Sequence, residues 1–260
     1  MDPVSLQLDG EVARVEFGDP STRNLLTVPV LEGLPRALAE AEVRGARVIV
    51  LRGRGDVWSG GYDIGEIPPT LFDADPEIVR QHPFERCMRA VEECVVPTIA
   101  AINGHALGGG LELAASCDLR LVCDGARLGI PAARLGIVYS QTGLAKFVRL
   151  VGPAHTRMMF FTGRRIDAAE AARIGLVNAV VPADDFDRAV TLLAQDIAAS
   201  APFAVQSMKR LLRLTERGGP LSAAEEVEVH ALRRQAFHSD DFNEGRAAFQ
   251  AKRAPRFTGR

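Results

Sequence analysis

Asn103-Gly104-His105-Ala106-Leu107-Gly108-Gly109-Gly110-Leu111-Glu112-Leu113-Ala114-Ala115 is the stretch on which the fold turns. The run Pro97-Thr98-Ile99-Ala100-Ala101-Ile102 before it reads as a buried strand, and Leu111 to Ala115 read as a helix. Three glycines lie between them. The first N–H groups of a helix have no intrahelical acceptor and carry partial positive charge. Glycine lets another group approach that backbone closely. Such a turn can hold an anion, or an oxygen that becomes anionic during a reaction. A Walker loop ends in Gly-Lys-Ser/Thr, and Gly109-Gly110-Leu111 has no lysine. A dinucleotide fingerprint needs Gly-x-Gly-x-x-Gly, which Gly108-Gly109-Gly110 does not give. From the residues alone two readings stay open: an oxyanion hole, or close helix–strand packing without chemistry.

A second glycine turn weighs on that choice. Val57-Trp58-Ser59-Gly60-Gly61-Tyr62-Asp63-Ile64 follows another β-branched run, Val48-Ile49-Val50-Leu51. Two N–H donors from separate loops make an oxyanion hole, and one such donor is worth about 3 kcal/mol of barrier. Gly-x-Ser-x-Gly is absent, so Ser59 does not stand on a nucleophile elbow.

Further out, Val4 to Leu8, the turn Asp9-Gly10 and the run through Val12, Val15 and Phe17 predict a hairpin. Thr27 and Pro29 open a helix that Gly45 stops. A loop is expected over 53–69, a helix over 77–94, and strands over 119–122 and 177–181. Alternating strands and helices up to about residue 181 favour an α/β core. After Pro202 the chain reads as helices near 203–217, 221–239 and 241–252, broken at Gly218-Gly219-Pro220. The expected division is a core over 1–200 and a C-terminal helical region over 201–260.

Composition removes several classes. With 47% apolar and 25% charged residues in 260, the chain is not disordered, fibrous or a disulfide scaffold. A net charge of −2 carries no global basic excess for nucleic acid. No apolar run reaches the ~18 residues of a membrane span. The start, Met1 to Ser5, has no signal-peptide pattern, so a cytoplasmic location without a membrane partner is expected. Cys87, Cys94, Cys117 and Cys123 form no Cys-x-x-Cys pair and read as inert thiols, with no metal expected. The basic excess after Ser207 is either a solvated helical face or a tail on a phosphate-bearing ligand.

Together the two turns resemble the enoyl-CoA hydratase/isomerase (crotonase) superfamily. Trp58 to Ile64 is similar to its Phe-Ser-Ala-Gly-Ala-Asp-Leu motif, and Asn103 to Leu113 to Asn-Gly-x-Ala-x-Gly-Gly-Gly-x-Glu-Leu. Asn24-Leu25, Gly129 to Gly136, Gly152-Pro153, Ala168 to Val177 and Glu244 to Phe257 extend the likeness over nearly the whole chain. The resemblance implies a crotonase-like α/β spiral of ββα units, with a C-terminal helical region that assembles homotrimers or homohexamers. It implies that the Tyr62 and Gly109 N–H groups grip the thioester carbonyl of an acyl-CoA, coenzyme A entering as part of the substrate and no separate cofactor. Gly61, Asp63, Ile64 and Gly108 would shape that site, Asn24 and Leu25 would border CoA, and Phe249 and Lys252 would close over it.

The same likeness bears on the reaction. Glu112, three residues after Gly109, would be the retained acid or base, where the plain alternative is a charge well placed at a helix N-terminus. Hydratases of the family use a second glutamate in a Pro-Glu pair; here the pair is Pro131-Ala132, and alanine moves no proton. The region where isomerases carry a carboxylate is Ile137-Val138-Tyr139-Ser140-Gln141, which has none. Tyr62 and Tyr139, the chain's two tyrosines, resemble the pattern of the family's methylmalonyl-CoA decarboxylase. Enolate chemistry through Glu112 is therefore the expectation, decarboxylation of a malonyl-type thioester the runner-up, and a non-catalytic acyl-CoA-binding subunit the rival from another class. His105 is read as packing, and His82, His155, His230 and His238 have no partner readable from sequence.

Overall fold

The structure is a computed structural model and describes residues 2–63, 65 and 76–260. The hairpin forms as expected: β1 (Val4–Asp9) and β2 (Val12–Phe17) pair antiparallel, Leu6 opposite Val15. Helix α1 (Val28–Val43) buries Val30, Leu31, Leu34, Leu38 and Ala41, the helical stripe in the sequence. It returns the chain to β3 (Val48–Gly53), parallel to β2.

The helix expected over 77–94 is two helices, α2 (Pro76–Arg80) and α3 (Pro83–Glu93). Pro83 has no N–H to give and its ring excludes a preceding helical turn, so helical spacing could not run through it. His82 caps the second helix, its Nδ1 accepting from the Phe84 N–H. The chain then enters β4 (Thr98–Ile102), parallel to β3, short β5 (Ala106–Leu107) and α4 (Gly109–Ser116).

β6 (Leu119–Cys123) and, later, β9 (Ala179–Val181) complete a six-stranded sheet in the order β1-β2-β3-β4-β6-β9. The strand expected over 177–181 starts at Ala179; Val177 is buried ahead of it. A second sheet joins β5 to β7 (Arg127–Gly129) and β8 (Arg165–Asp167). Between the last two runs α5 (Gln141–Thr162), interrupted at Gly152, where φ is 71° ahead of Pro153. α6 (Ala168–Arg173) and α7 (Phe186–Ala198) follow. The chain ends in α8 (Pro202–Glu216), α9 (Ala223–Phe237) and α10 (Asp240–Gln250).

β3 and β4 are adjacent and parallel, with Leu51 beside Ala100. Both glycine turns therefore leave the same edge of the sheet, beyond the carboxyl ends of neighbouring strands, where open α/β sheets place their ligands. Trp58 anchors the first turn. It is fully buried, meets Phe17 edge-on at 5.1 Å and donates its Nε1–H to the Gly110 carbonyl at 2.7 Å. That bond ties the first turn to the helix that begins the second.

Candidate active site

Three stretches lie side by side at this edge. The Leu26 N–H donates to the Gly61 carbonyl at 2.8 Å, and the Gly60 N–H to the Arg23 carbonyl at 2.8 Å. On the other flank the Ser59 N–H donates to the His105 carbonyl at 3.1 Å, and the Leu107 N–H to the Ser59 carbonyl at 3.0 Å. Ser59 itself is buried. Its hydroxyl donates to the Asn24 carbonyl at 2.8 Å and accepts from the Gly61 N–H at 3.1 Å. The two turns are thus strapped together by backbone, and Ser59 is a strut.

Two asparagines brace the loops from behind. Asn103 Nδ2 donates to the carbonyls of Gly53 (2.9 Å) and Gly55 (2.7 Å). Asn24 Nδ2 donates to those of Arg54 (2.8 Å) and Val57 (2.7 Å). Asn24 has a left-handed backbone, φ 51°, and no exposed surface. The Asn24 side chain points into the fold, its amide taken up by loop carbonyls, so a border with CoA at this position would fall to its backbone and to Leu25, which keeps some surface.

Glycine is required where the turns meet. A Cβ on Gly109 would stand 2.8 Å from Phe84 Cε2 and 3.2 Å from the Tyr62 amide nitrogen. A Cβ on Gly61 would stand 3.6 Å from the Gly109 nitrogen, and one on Gly110 would overlap Ser59 Cβ at 2.6 Å. Gly108 holds φ 53°, ψ −127°, and its N–H donates to the Gly129 carbonyl at 2.9 Å. The backbones of the two turns therefore approach each other closely at Tyr62 and Gly109, with glycine on both sides of the approach. The Tyr62 ring leans on Phe84 (5.4 Å) and edge-on to His82 (5.8 Å), with 3.4 Å between its hydroxyl and His82 Nε2. Burial holds His82 below its ordinary pKa.

Glu112 lies in the first turn of α4, 1% exposed, its Oε1 3.1 Å from Lys146 Nζ. Lys146 comes from α5 and is 3% exposed; Glu92 Oε1 also stands 3.5 Å from its Nζ. Burial pushes the Glu112 carboxyl above its ordinary range, and the ammonium opposes that rise. Tyr139 meets Phe160 edge-on at 5.1 Å. Its hydroxyl lies 3.9 Å from where a Gly108 Cβ would be, and burial together with Glu112 raises its pKa.

Comparison with known proteins decides the family. The enoyl-CoA hydratase/isomerase family model matches residues 7–260. The chain belongs to the enoyl-CoA hydratase/isomerase family. A probable enoyl-CoA hydratase of Bacillus subtilis is 34% identical over the whole of both chains. An enoyl-CoA hydratase/carnitine racemase structure from Magnetospirillum magneticum superposes with a TM-score of 0.89 at 36% identity, over 100% of this chain and 97% of that one. A methylmalonyl-CoA decarboxylase, solved with 2-nitronate-propionyl-CoA, superposes at 0.77 with 27% identity, over 99% and 98%. The α/β fold is the crotonase fold of these structures.

Set against this family, the expected site residues divide into three groups. Gly61, Tyr62, Gly108, Gly109, Glu112 and Tyr139 are brought together. Asp63 braces its own loop, Oδ1 accepting from the Gly65 N–H at 3.1 Å, and Ile64 lies outside the described residues. Phe249 and Lys252 stand apart at the end of α10; Phe249 is 86% exposed and lines an apolar cavity of about 460 Å³ with Phe203, Phe237, Phe242 and Phe257. Ala132, at the position where the resemblance implies a second glutamate, is buried at the start of a 3-10 turn. Lys146, Phe84 and His82 were not expected. Only Lys146 carries a sequence signal: a single charge at Gly143-Leu144-Ala145-Lys146-Phe147-Val148, in a helix that must bury a face. The cysteines are free thiols; burial pushes Cys87, Cys94 and Cys117 up to about 12. Among the described residues, no helix is long and apolar enough to cross a membrane.

Proposed function

We propose that the protein is an acyl-CoA enzyme whose enolate chemistry runs through one carboxylate. The thioester carbonyl sits between the N–H groups of Tyr62 and Gly109, and Glu112 moves the proton, at the α-carbon or at a water beside it. The observation that carries this reading is the approach of the two amides, with Glu112 one helical turn on from Gly109. A thioester acidifies its α-carbon. Donors aimed at the oxygen stabilise the enolate more than the ground state, so they lower barriers for proton transfer and water addition alike. A second site carboxylate is absent at Ala132, so Glu112 both takes and returns the proton.

Decarboxylation of a malonyl-type thioester is the second reading, favoured by Tyr139 beside Glu112 and by the fold likeness to the decarboxylase. It ranks second because Glu92 and Glu112 share one buried ammonium and Glu85 adds its negative charge to the field at Glu112, which is unfavourable for a substrate carboxylate. The helices α8 to α10 are the proposed assembly surface for a trimer or hexamer, and their exposed apolar groups, Phe237, Phe249, Leu212 and Val227, suit that use.

The test is incubation with crotonyl-CoA and with methylmalonyl-CoA, following enoyl thioester absorbance and released CO₂. Turnover of crotonyl-CoA that Glu112→Gln abolishes supports the first reading. CO₂ release that survives the same change supports the second. Tight CoA-ester binding without product from either would favour the binding-subunit alternative.

A further inference from the structure

We propose that Lys146 is a positioning residue: its buried ammonium holds the Glu112 carboxylate at the glycine turn as an anion able to accept a proton. The proposal rests on the reading of Glu112 as the proton-moving group.

The geometry is specific. Gly143 and Lys146 are three residues apart on one face of α5, and both address Glu112. A Cβ at Gly143 would stand 2.9 Å from Glu112 Oε1, so the glycine admits the carboxylate against the helix. Lys146 then closes on the same oxygen at 3.1 Å. The remaining charged and titratable neighbours come from two elements. Glu85 and Glu92 face the pair from α3, and both disfavour a second negative charge at Glu112. Tyr139 stands on the segment before α5, and the Cys87 thiol of α3 also feels the ammonium. Of all these groups, Lys146 alone brings a positive charge.

Two physical arguments separate this from simple packing. A carboxyl buried without a cation takes up a proton, and a neutral acid cannot act as a base. A buried ion pair is also no bargain for stability, since an apolar pair of equal volume does as well or better. The pair makes sense where an anion is needed in a dry place.

The experiment reads Glu112 directly, without a substrate. The protonated carboxyl band is followed by infrared spectroscopy through a pH titration, with the Glu112→Gln spectrum subtracted to isolate it. Wild type is compared with Lys146→Met, Lys146→Gln and Lys146→Arg, each checked for fold by circular dichroism. Losing an opposite charge at this distance is worth about one pH unit or more. The titration midpoint should therefore rise by about that much, tenfold in proton affinity, in the Met and Gln variants. It should return toward wild type in Lys146→Arg. With crotonyl-CoA, the acid limb of kcat/KM should move in the same direction. A midpoint unmoved in a folded neutral variant overturns the proposal; if Met fails to fold, Gln decides. The midpoint judges Lys146, whereas the activity of Glu112→Gln judges the functional reading, so the two fail separately.

Discussion

The ring of Phe84 covers Gly109 so closely that a Cβ on the glycine would lie 2.8 Å from Phe84 Cε2. The same methyl would stand 3.2 Å from the Tyr62 nitrogen, inside the gap between the two amides. Gly109→Ala should therefore fold and fail. Alanine keeps its backbone N–H, but the methyl stands between that donor and the carbonyl it would grip, so we expect kcat to fall by about a hundredfold to a thousandfold, as for the loss of one oxyanion donor. Steady-state kinetics with crotonyl-CoA would check this, with circular dichroism to show that the variant folds. Unchanged kcat would remove Gly109 from the site.

Burial raises the Glu112 pKa above the ordinary 4.5, which has a consequence for stability. Between the unfolded value and the raised folded one, the folded chain keeps a proton that the unfolded chain has released, and the anion that Lys146 favours forms above the folded value. The contribution is fully present below the unfolded value and is lost as pH rises through the folded one. Glu112→Gln is neutral throughout and escapes that loss. Its melting temperature relative to wild type should climb as pH rises from the ordinary carboxyl value of 4.5 through the raised folded one. A difference that shrinks with pH would mean that Lys146 outweighs burial.

Asn24 combines a left-handed backbone with two bonds to loop carbonyls, and two substitutions separate these roles. Both Asn24→Ala and Asn24→Gly delete the amide, leaving loop carbonyls unmet at about 1–3 kcal/mol. Alanine also pays about 1 kcal/mol for its positive φ. Urea unfolding should therefore rank wild type above Gly and Gly above Ala. Equal stability of the two variants would show that the backbone conformation relaxes.

Phe249 is 86% exposed beside an apolar cavity among the C-terminal helices. If these helices assemble copies of the chain, Phe249→Asp places a charge in the contact and should lower the sedimentation coefficient toward that of a 28.0 kDa monomer. A wild-type protein that already sediments as a monomer would remove the assembly surface.

Much of this site was readable in the sequence. β-branched runs locate β3 and β4, and the glycines after them locate both turns, because strand packing and close backbone approach leave marks in residue type. Other features leave none. Two- and three-residue strands such as Ala106–Leu107 and Arg127–Gly129 are too short for a period. Helix α5 is interrupted by Gly152 and Pro153, two helix-breaking residue types, yet the chain continues helical beyond them. Asn24 resembles a ligand contact in the family pattern, yet only the packed structure shows its amide turned inward. The partnership of Glu112 with Lys146 spans 34 positions, and no local pattern couples residues that far apart.

Asn103 is followed by Gly104, the neighbour that least obstructs ring closure of an asparagine side chain onto the next peptide nitrogen. Such closure ends in deamidation, and at this position the product would be ruinous. The amide that now donates to Gly53 and Gly55 would become a carboxylate pressed against the same two oxygens. Stored protein would thus lose the brace behind the first turn through one slow hydrolysis, which leaves a mass gain of about one dalton and, where the ring opens the other way, an isoaspartate link in the backbone.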